Sequence, residues 1–288
     1  MQNLYEETKF LMKKYNISAN KSLGQNFLID DEVVNNIVDS SEINKEDLVI
    51  EIGPGLGTLT NILLQKAGKV IAVELDSRMI TILKDRFYLY DNFEIINDDI
   101  LKIDLNKIIA QNKEENNFKK VKVVANLPYY ITTPIIMKLL EDRLNLDSII
   151  IMIQREVAQR ITATPGTKLS GAITYGVYYY AQAESIVVVP SESFIPAPKV
   201  NSQVIKLNIR NKPSVNLKDE ELFFNIIKAS FMQRRKTLVN ALVNSKIIET
   251  KEKAKEIMKS LHMDESTRGE TLSMQDFVNL ANYISEKF

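Results

Sequence analysis

The 288-residue chain contains no cysteine. Disulfides, thiolate metal sites and cysteine nucleophiles are therefore excluded, which fits a reducing compartment. With a single histidine, His262, neither a histidine metal cluster nor a Ser-His triad is tenable, and no metal is expected. No stretch approaches the ~18 to 20 apolar residues of a membrane span. The opening MQNLYEETKFLMKKYNIS carries Glu6, Glu7, Lys9, Lys13 and Lys14, so it holds no signal-peptide core. Its Leu4, Thr8, Leu11 and Tyr15 instead share one face of a helix. A soluble, cytoplasmic monomer with no membrane partner is expected. Net charge is also lacking, because 37 basic residues cancel 37 acidic ones.

A zero total can hide local patches. Phe194 to Lys218 holds five basic residues and no acidic one; Leu222 to Ile248 holds Lys228, Arg234, Arg235, Lys236 and Lys246, again with no acid. Taken alone, such runs read as a solvated helix face before they read as a polyanion site.

Short apolar runs alternate with helical patterns over the first two thirds: LVIEI at 48 to 52, VIAVEL at 70 to 75, FEII at 93 to 96, VKVVA at 121 to 125 and SIIIMI at 148 to 153. That rhythm predicts an α/β fold with a mostly parallel sheet. GVYYYAQAE, SIVVV and QVIKLNI follow with little room for helices, so antiparallel strands are expected to finish the sheet. After Arg210, Asn211-Lys212-Pro213-Ser214 reads as a linker. Helices are expected near Asp219 to Met232, Thr237 to Val243 and Lys251 to Leu261, with a last one from Ser273. Ser273 suits an N-cap, with Asp276 three residues on and Leu272 placed to staple onto Phe277. The expected organisation is a domain over 1–210 and an all-helical domain over 211–288.

VIEIGPGLGTLT places Gly53, Gly55 and Gly57 between a strand and a helix. Such glycines let backbone approach a ligand, and the helix N-terminus offers unpaired amides. The spacing is G-x-G-x-G, not the dinucleotide pattern. Glu74, 21 residues past Gly53, ends the next strand, where it can accept both ribose hydroxyls of a nucleoside. Asn97-Asp98-Asp99 ends the third strand and offers a carboxylate to an adenine amino group. An adenosine cofactor fits these three strand ends, and both NAD and S-adenosylmethionine qualify.

The fourth strand ends in Asn126-Leu127-Pro128-Tyr129. The exocyclic amine of a purine is a poor nucleophile because its lone pair is delocalised into the ring. Two acceptors on its hydrogens, the Asn126 side-chain oxygen and the Leu127 carbonyl fixed by Pro128, can draw it toward tetrahedral geometry for attack on a methyl sulfonium. Tyr129 can stack on a base taken out of its helix, and a ring suffices for that.

Eight segments in order carry a family resemblance: KSLGQNFLID at 21 to 30, EIGPGLGTLT at 51 to 60, VELD at 73 to 76, NDDIL at 97 to 101, NLPYYI at 126 to 131, QREVAQR at 154 to 160, FIPAPKVNS at 194 to 202 and QRRKTLVNAL at 233 to 242. Over nearly its whole length the chain resembles the ribosomal RNA adenine dimethyltransferases, of the KsgA (RsmA) type that acts on small-subunit rRNA. The resemblance implies a Rossmann-like domain binding S-adenosyl-L-methionine, with S-adenosyl-L-homocysteine as product. Asn26 and Leu28 would close over the methionine end of the cofactor, with Gly53 beside it in the glycine loop that includes Gly55. Glu74 would hold the ribose and Asp99 the adenine, with Asp98 as a rival. Asn126 would lie near the sulfonium and the target amine, and Phe194 would face Tyr129 across the flipped base. The implied reaction is dimethylation of two adjacent adenosines in the 3′-terminal hairpin loop of small-subunit (16S) rRNA, late in subunit assembly. The helical domain would dock on rRNA phosphates through Arg234, Arg235 and Lys236. A large-subunit (23S) rRNA adenine methyltransferase and a non-catalytic assembly factor are the alternatives.

Overall fold

Nine strands and twelve α-helices are present among the residues described by the computed structural model, 3–233 and 235–287. The strands are β1 (Phe27–Leu28), β2 (Asp47–Ile52), β3 (Lys69–Glu74), β4 (Phe93–Asn97), β5 (Lys120–Asn126), β6 (Ser148–Gln154), β7 (Ala181–Val189), β8 (Phe194–Ile195) and β9 (Ser202–Ile209). The helices are α1 (Leu4–Lys14), α2 (Asp31–Ser41), α3 (Thr58–Lys66), α4 (Ser77–Arg86), α5 (Leu105–Asn116), α6 (Thr132–Glu141), α7 (Arg155–Ile161), α8 (Ala172–Tyr180), α9 (Glu220–Met232), α10 (Leu238–Asn244), α11 (Lys251–Ser260) and α12 (Met274–Lys287). The five β-branched runs read from the sequence are β2 to β6, each within a residue or two of the expected ends.

Two compact units result: Met1–Ala158 with Ala183–Ile209, and Gln159–Gln182 with Arg210–Phe288. The first is built on a seven-stranded sheet of order β4-β3-β2-β5-β6-β9-β7. Its first five strands run parallel, and β9 pairs antiparallel to β6. Strands β2, β5 and β6 are buried along almost their whole length, so both faces are covered and their sequences read as continuous apolar runs. The chain winds outward from β2 through β3 to β4, then returns to place β5 on the other side of β2. That reversal opens a crevice at the carboxyl ends of β2 and β5, the usual ligand site of an open α/β sheet. A separate two-stranded ribbon pairs β1 with β8, Leu28 opposite Phe194. Helix α1 buries Thr8 and Leu11, and Leu4 and Tyr15 pack partly buried against the same core.

The second unit is helical, with a core of Tyr175 and Tyr179 from α8 and apolar residues of α9 to α12. Helix α12 starts with a reciprocal cap: Asp276 N donates to Ser273 Oγ at 3.2 Å and Ser273 N to Asp276 Oδ2 at 2.8 Å. Leu272 and Phe277 are buried in the same core.

Two expectations are corrected here. GVYYYAQAE is not one strand: Gly176 to Tyr180 complete α8, and β7 starts at Ala181. Tyrosine and valine favour strands, but Tyr175 and Tyr179, one helical turn apart, bury their rings against Phe231 and Phe223 of α9 respectively, and that packing wins. A single boundary at residue 210 also fails. Residues 159–182 join the helical unit, where the buried Tyr175 hydroxyl donates to Leu272 O at 2.5 Å.

Candidate active site

A cavity opens at the carboxyl ends of β2, β3 and β5 and is lined by Asn26, Leu28, Gly53, Gly55, Glu74, Asp98, Asp99, Asn126, Leu127, Pro128 and Tyr129. Parallel registers bring these strand ends side by side: Ile52 lies opposite Ala125, and Glu74 opposite Asn97. The turn after β2 then needs backbone that only glycine adopts easily. Gly53 has φ +67°, and at Gly57, φ +85°, an added Cβ would lie 2.6 Å from the Phe87 ring. Helix α3 starts directly after this loop.

Glu74 is almost fully buried at the end of β3. Its Oε2 accepts from Gly55 N at 3.1 Å and its Oε1 from Asp76 N at 2.8 Å. One carboxyl group thereby holds the glycine loop against the strand end and keeps lone pairs for a diol. Burial raises its pKa, partly opposed by these backbone donors. Asp99 spends Oδ1 on Leu101 N at 3.0 Å, and the exposed Asp98 caps Asp99 N at 2.7 Å; both reach the cavity.

The segment before β1 closes the opposite wall. The Asn26 side chain donates to Gly24 O at 3.1 Å, and the Asn126 Nδ2 donates to Asn26 O at 3.2 Å. This bond uses one N–H of the Asn126 amide and sets its orientation, leaving Oδ1 as the acceptor end. Leu127 N donates to Met152 O at 3.1 Å, fixing the first residue of the turn, and Pro128 O accepts from Thr132 Oγ1 at 3.0 Å. Tyr129 is half-buried, and its hydroxyl lies 2.6 Å from Ser202 Oγ. The phenol is therefore not a bare ring end.

Phe194 lies outside the cavity lining, is 3 % exposed and belongs to the hydrophobic core, where β8 pairs it with Leu28. Of the basic trio, Arg235 and Lys236 are exposed at the start of the α9–α10 connection, and Arg234 lies outside the described residues. Among the described residues no group of three His, Cys, Asp or Glu could hold a metal ion, and no helix is long and apolar enough to cross a membrane.

Two residues not singled out from the sequence line the cavity. Gln25 Nε2 donates to Asp76 Oδ2 at 2.9 Å, tying the closing segment to the end of β3. Glu51 is fully buried, accepts from Thr60 Oγ1 at 2.6 Å, and is pushed up by desolvation to about 8. An acid inside a strand as apolar as VIEI was the signal that could have marked it.

The family model for ribosomal RNA adenine dimethylase matches residues 16–286. The chain is 46 % identical over 281 residues to the "Ribosomal RNA small subunit methyltransferase A" of Alkaliphilus metalliredigens, covering 98 % of this chain and 97 % of the relative. It is 48 % identical over 284 residues to the protein of the same name from Geobacillus thermodenitrificans, covering 98 % and 96 %. The crystal structure of a dimethyladenosine transferase from Plasmodium falciparum superposes with a TM-score of 0.73 at 27 % identity, covering 91 % of this chain and 98 % of that one. The chain belongs to the ribosomal RNA adenine dimethylase family.

Proposed function

We propose that the chain uses S-adenosyl-L-methionine to dimethylate the exocyclic amines of two adjacent adenosines in the 3′-terminal hairpin loop of small-subunit rRNA, late in subunit assembly. It would act as a single chain in the cytoplasm. The observation that carries this reading is the bond from Asn126 Nδ2 to Asn26 O, which turns Oδ1 into the acceptor an exocyclic amine needs.

The donor set fits the cofactor. Glu74 offers a buried carboxylate to ribose hydroxyls, Asp99 a carboxylate to the adenine amine, and Leu75 and Ile100 an apolar wall for the ring. Asn26 and Leu28 cover the methionine end, with the loop of Gly53 and Gly55 beside it. When bound, the cofactor supplies an electrophilic methyl group on a sulfonium.

The remaining work falls to side chains and backbone of this chain. Asn126 Oδ1 and Leu127 O accept the two hydrogens of the adenine amine and pull its lone pair out of conjugation toward the methyl group. Their dipoles also favour the positive charge that develops on that nitrogen as the bond forms. No base is needed beforehand, since the proton becomes acidic only once the nitrogen carries the new methyl. Tyr129 stacks on the base and holds it outside its helix, an interaction worth roughly 1 to 3 kcal/mol. Arg234, Arg235 and Lys236 bind rRNA phosphates, which position the substrate without reading its sequence.

The choice of the small subunit is supported by the names of relatives 46 to 48 % identical over nearly the whole chain. Incubation with labelled S-adenosylmethionine and undermethylated small subunits, large subunits or duplex DNA tests it. Label on two adjacent adenosines of the 3′-terminal hairpin, as N6,N6-dimethyladenosine, is expected. Label confined to large-subunit rRNA, or absent from all three substrates, would overturn the proposal.

A further inference from the structure

We propose that Ser202 is a positioning residue for methyl transfer, its hydroxyl pinning the outer end of Tyr129 so that the ring is a fixed wall for the target adenine. The inference rests on the assignment of Tyr129 as the base-stacking residue.

Ser202 opens β9 opposite Gln154 of β6, and β6 in turn lies beside β5, with Asn126 opposite Met152. The Tyr129 side chain, leaving the end of β5, therefore crosses the end of β6 to reach the third strand. There its hydroxyl meets Ser202 Oγ at 2.6 Å. Its backbone end is held as well, because Pro128 O accepts from both Ile131 N and Thr132 Oγ1. A ring fixed at both ends has little rotational freedom left to lose when a base lands on it, so less of the stacking energy is consumed in ordering it. Tyr130, the next residue, is 58 % exposed and shows how an aromatic side chain of the same turn sits without such an anchor.

The chemistry of the β9 position supports the assignment. Val204, Ile205 and Leu207 on the same strand are buried and apolar, whereas Ser202 is fully buried and polar. A buried hydroxyl requires a partner, and Tyr129 is the partner it has. Leaving either hydroxyl alone costs more than the bond contributes, so the two side chains act as a unit. The segment FIPAPKVNS then serves the site at both ends without exposing Phe194: Phe194 pairs with Leu28 through β8 and β1, and Ser202 holds Tyr129.

Single-turnover methylation of undermethylated small subunits, with enzyme saturating, tests the pair. Ser202→Ala and Tyr129→Phe should each slow the rate constant about fivefold, the factor of one hydrogen bond, and the double variant should lose no more than either alone. Cofactor affinity by calorimetry and subunit affinity should stay within twofold of wild type, a split that a general loss of structure would not produce. A wild-type rate for Ser202→Ala, or losses that multiply in the double, would overturn the proposal. If Ser202→Ala does not fold, Tyr129→Phe decides alone: a wild-type rate overturns the proposal and a fivefold loss upholds it. Tyr129→Ala separates the two levels, because a wild-type rate there refutes base stacking on Tyr129 itself, whereas a large loss alongside a silent Ser202→Ala refutes only the anchor.

Discussion

Replacing Glu74 by alanine should weaken cofactor binding far more than the loss of a surface carboxylate would. In the free protein both carboxylate oxygens already accept backbone donors, Gly55 N at 3.1 Å and Asp76 N at 2.8 Å. The group is also nearly buried, so a ribose hydroxyl bonded to it gains a charge-assisted bond with little competing water. Such bonds contribute about 1.5 to 3 kcal/mol, and each 1.4 kcal/mol is tenfold in affinity, so the direct loss is roughly 10- to 150-fold. Freeing Gly55 N adds to it by loosening the loop that lines the cofactor cavity. Glu74→Gln should rescue only in part, since its amide retains one acceptor oxygen and turns a donor toward a backbone N–H that is itself a donor. Calorimetric titration with S-adenosylhomocysteine measures all three proteins. Equal dissociation constants for wild type and both variants would refute the ribose assignment.

Three further outcomes can be checked independently. Lys122 and Asp47 form a buried pair at 2.9 Å near the amino ends of β5 and β2, remote from the cavity; Lys122→Met leaves a buried carboxylate uncompensated and should cost about 3 to 5 kcal/mol by denaturant titration, while cofactor affinity of the folded fraction stays unchanged. Glu51 has a folded pKa of about 8 against 4.5 unfolded, so between those values the folded state binds the extra proton and stability falls as pH rises; melting temperatures of the cofactor-free protein from pH 5.5 to 8.5 should decline less in Glu51→Gln, and parallel curves would refute the burial argument. Neutralising Arg234, Arg235 and Lys236 together should flatten the logarithmic salt dependence of subunit binding by about 2 to 3 and leave cofactor affinity alone, whereas an unaltered slope would make the cluster a solvated face.

Strands β2, β3, β5 and β6 were legible because a sheet buried on both faces demands nearly continuous apolar, β-branched residues, and few other structures do. The strand-end residues Gly53, Glu74, Asp99 and Asn126 were legible for a related reason: a polar residue or glycine that ends such a run stands at the one edge where ligands bind. What escaped was set by contacts distant in sequence. The orientation of the Asn126 amide depends on a carbonyl 100 residues away, and the Tyr129 hydroxyl on a serine 73 residues away. Neither has a local signature. Helix α8 was misread because its aromatic and β-branched residues look like a strand until α9 is there to bury Tyr175 and Tyr179. The burial of Phe194 was not legible because a motif shows that a residue matters without saying which way its ring points; β8, which pairs with β1, carries it in the core.

The central claim is that Asn126 promotes the chemical step by accepting from the target amine. Single-turnover methylation of undermethylated small subunits by Asn126→Ala, with saturating enzyme and cofactor, tests it most directly. The account predicts a rate constant lower by about 10²- to 10³-fold, the loss typical of removing one preorganised hydrogen-bond partner of a transition state, with subunit affinity scarcely altered. Turnover near the wild-type rate would contradict it and would make the Asn-Leu-Pro-Tyr turn a structural feature.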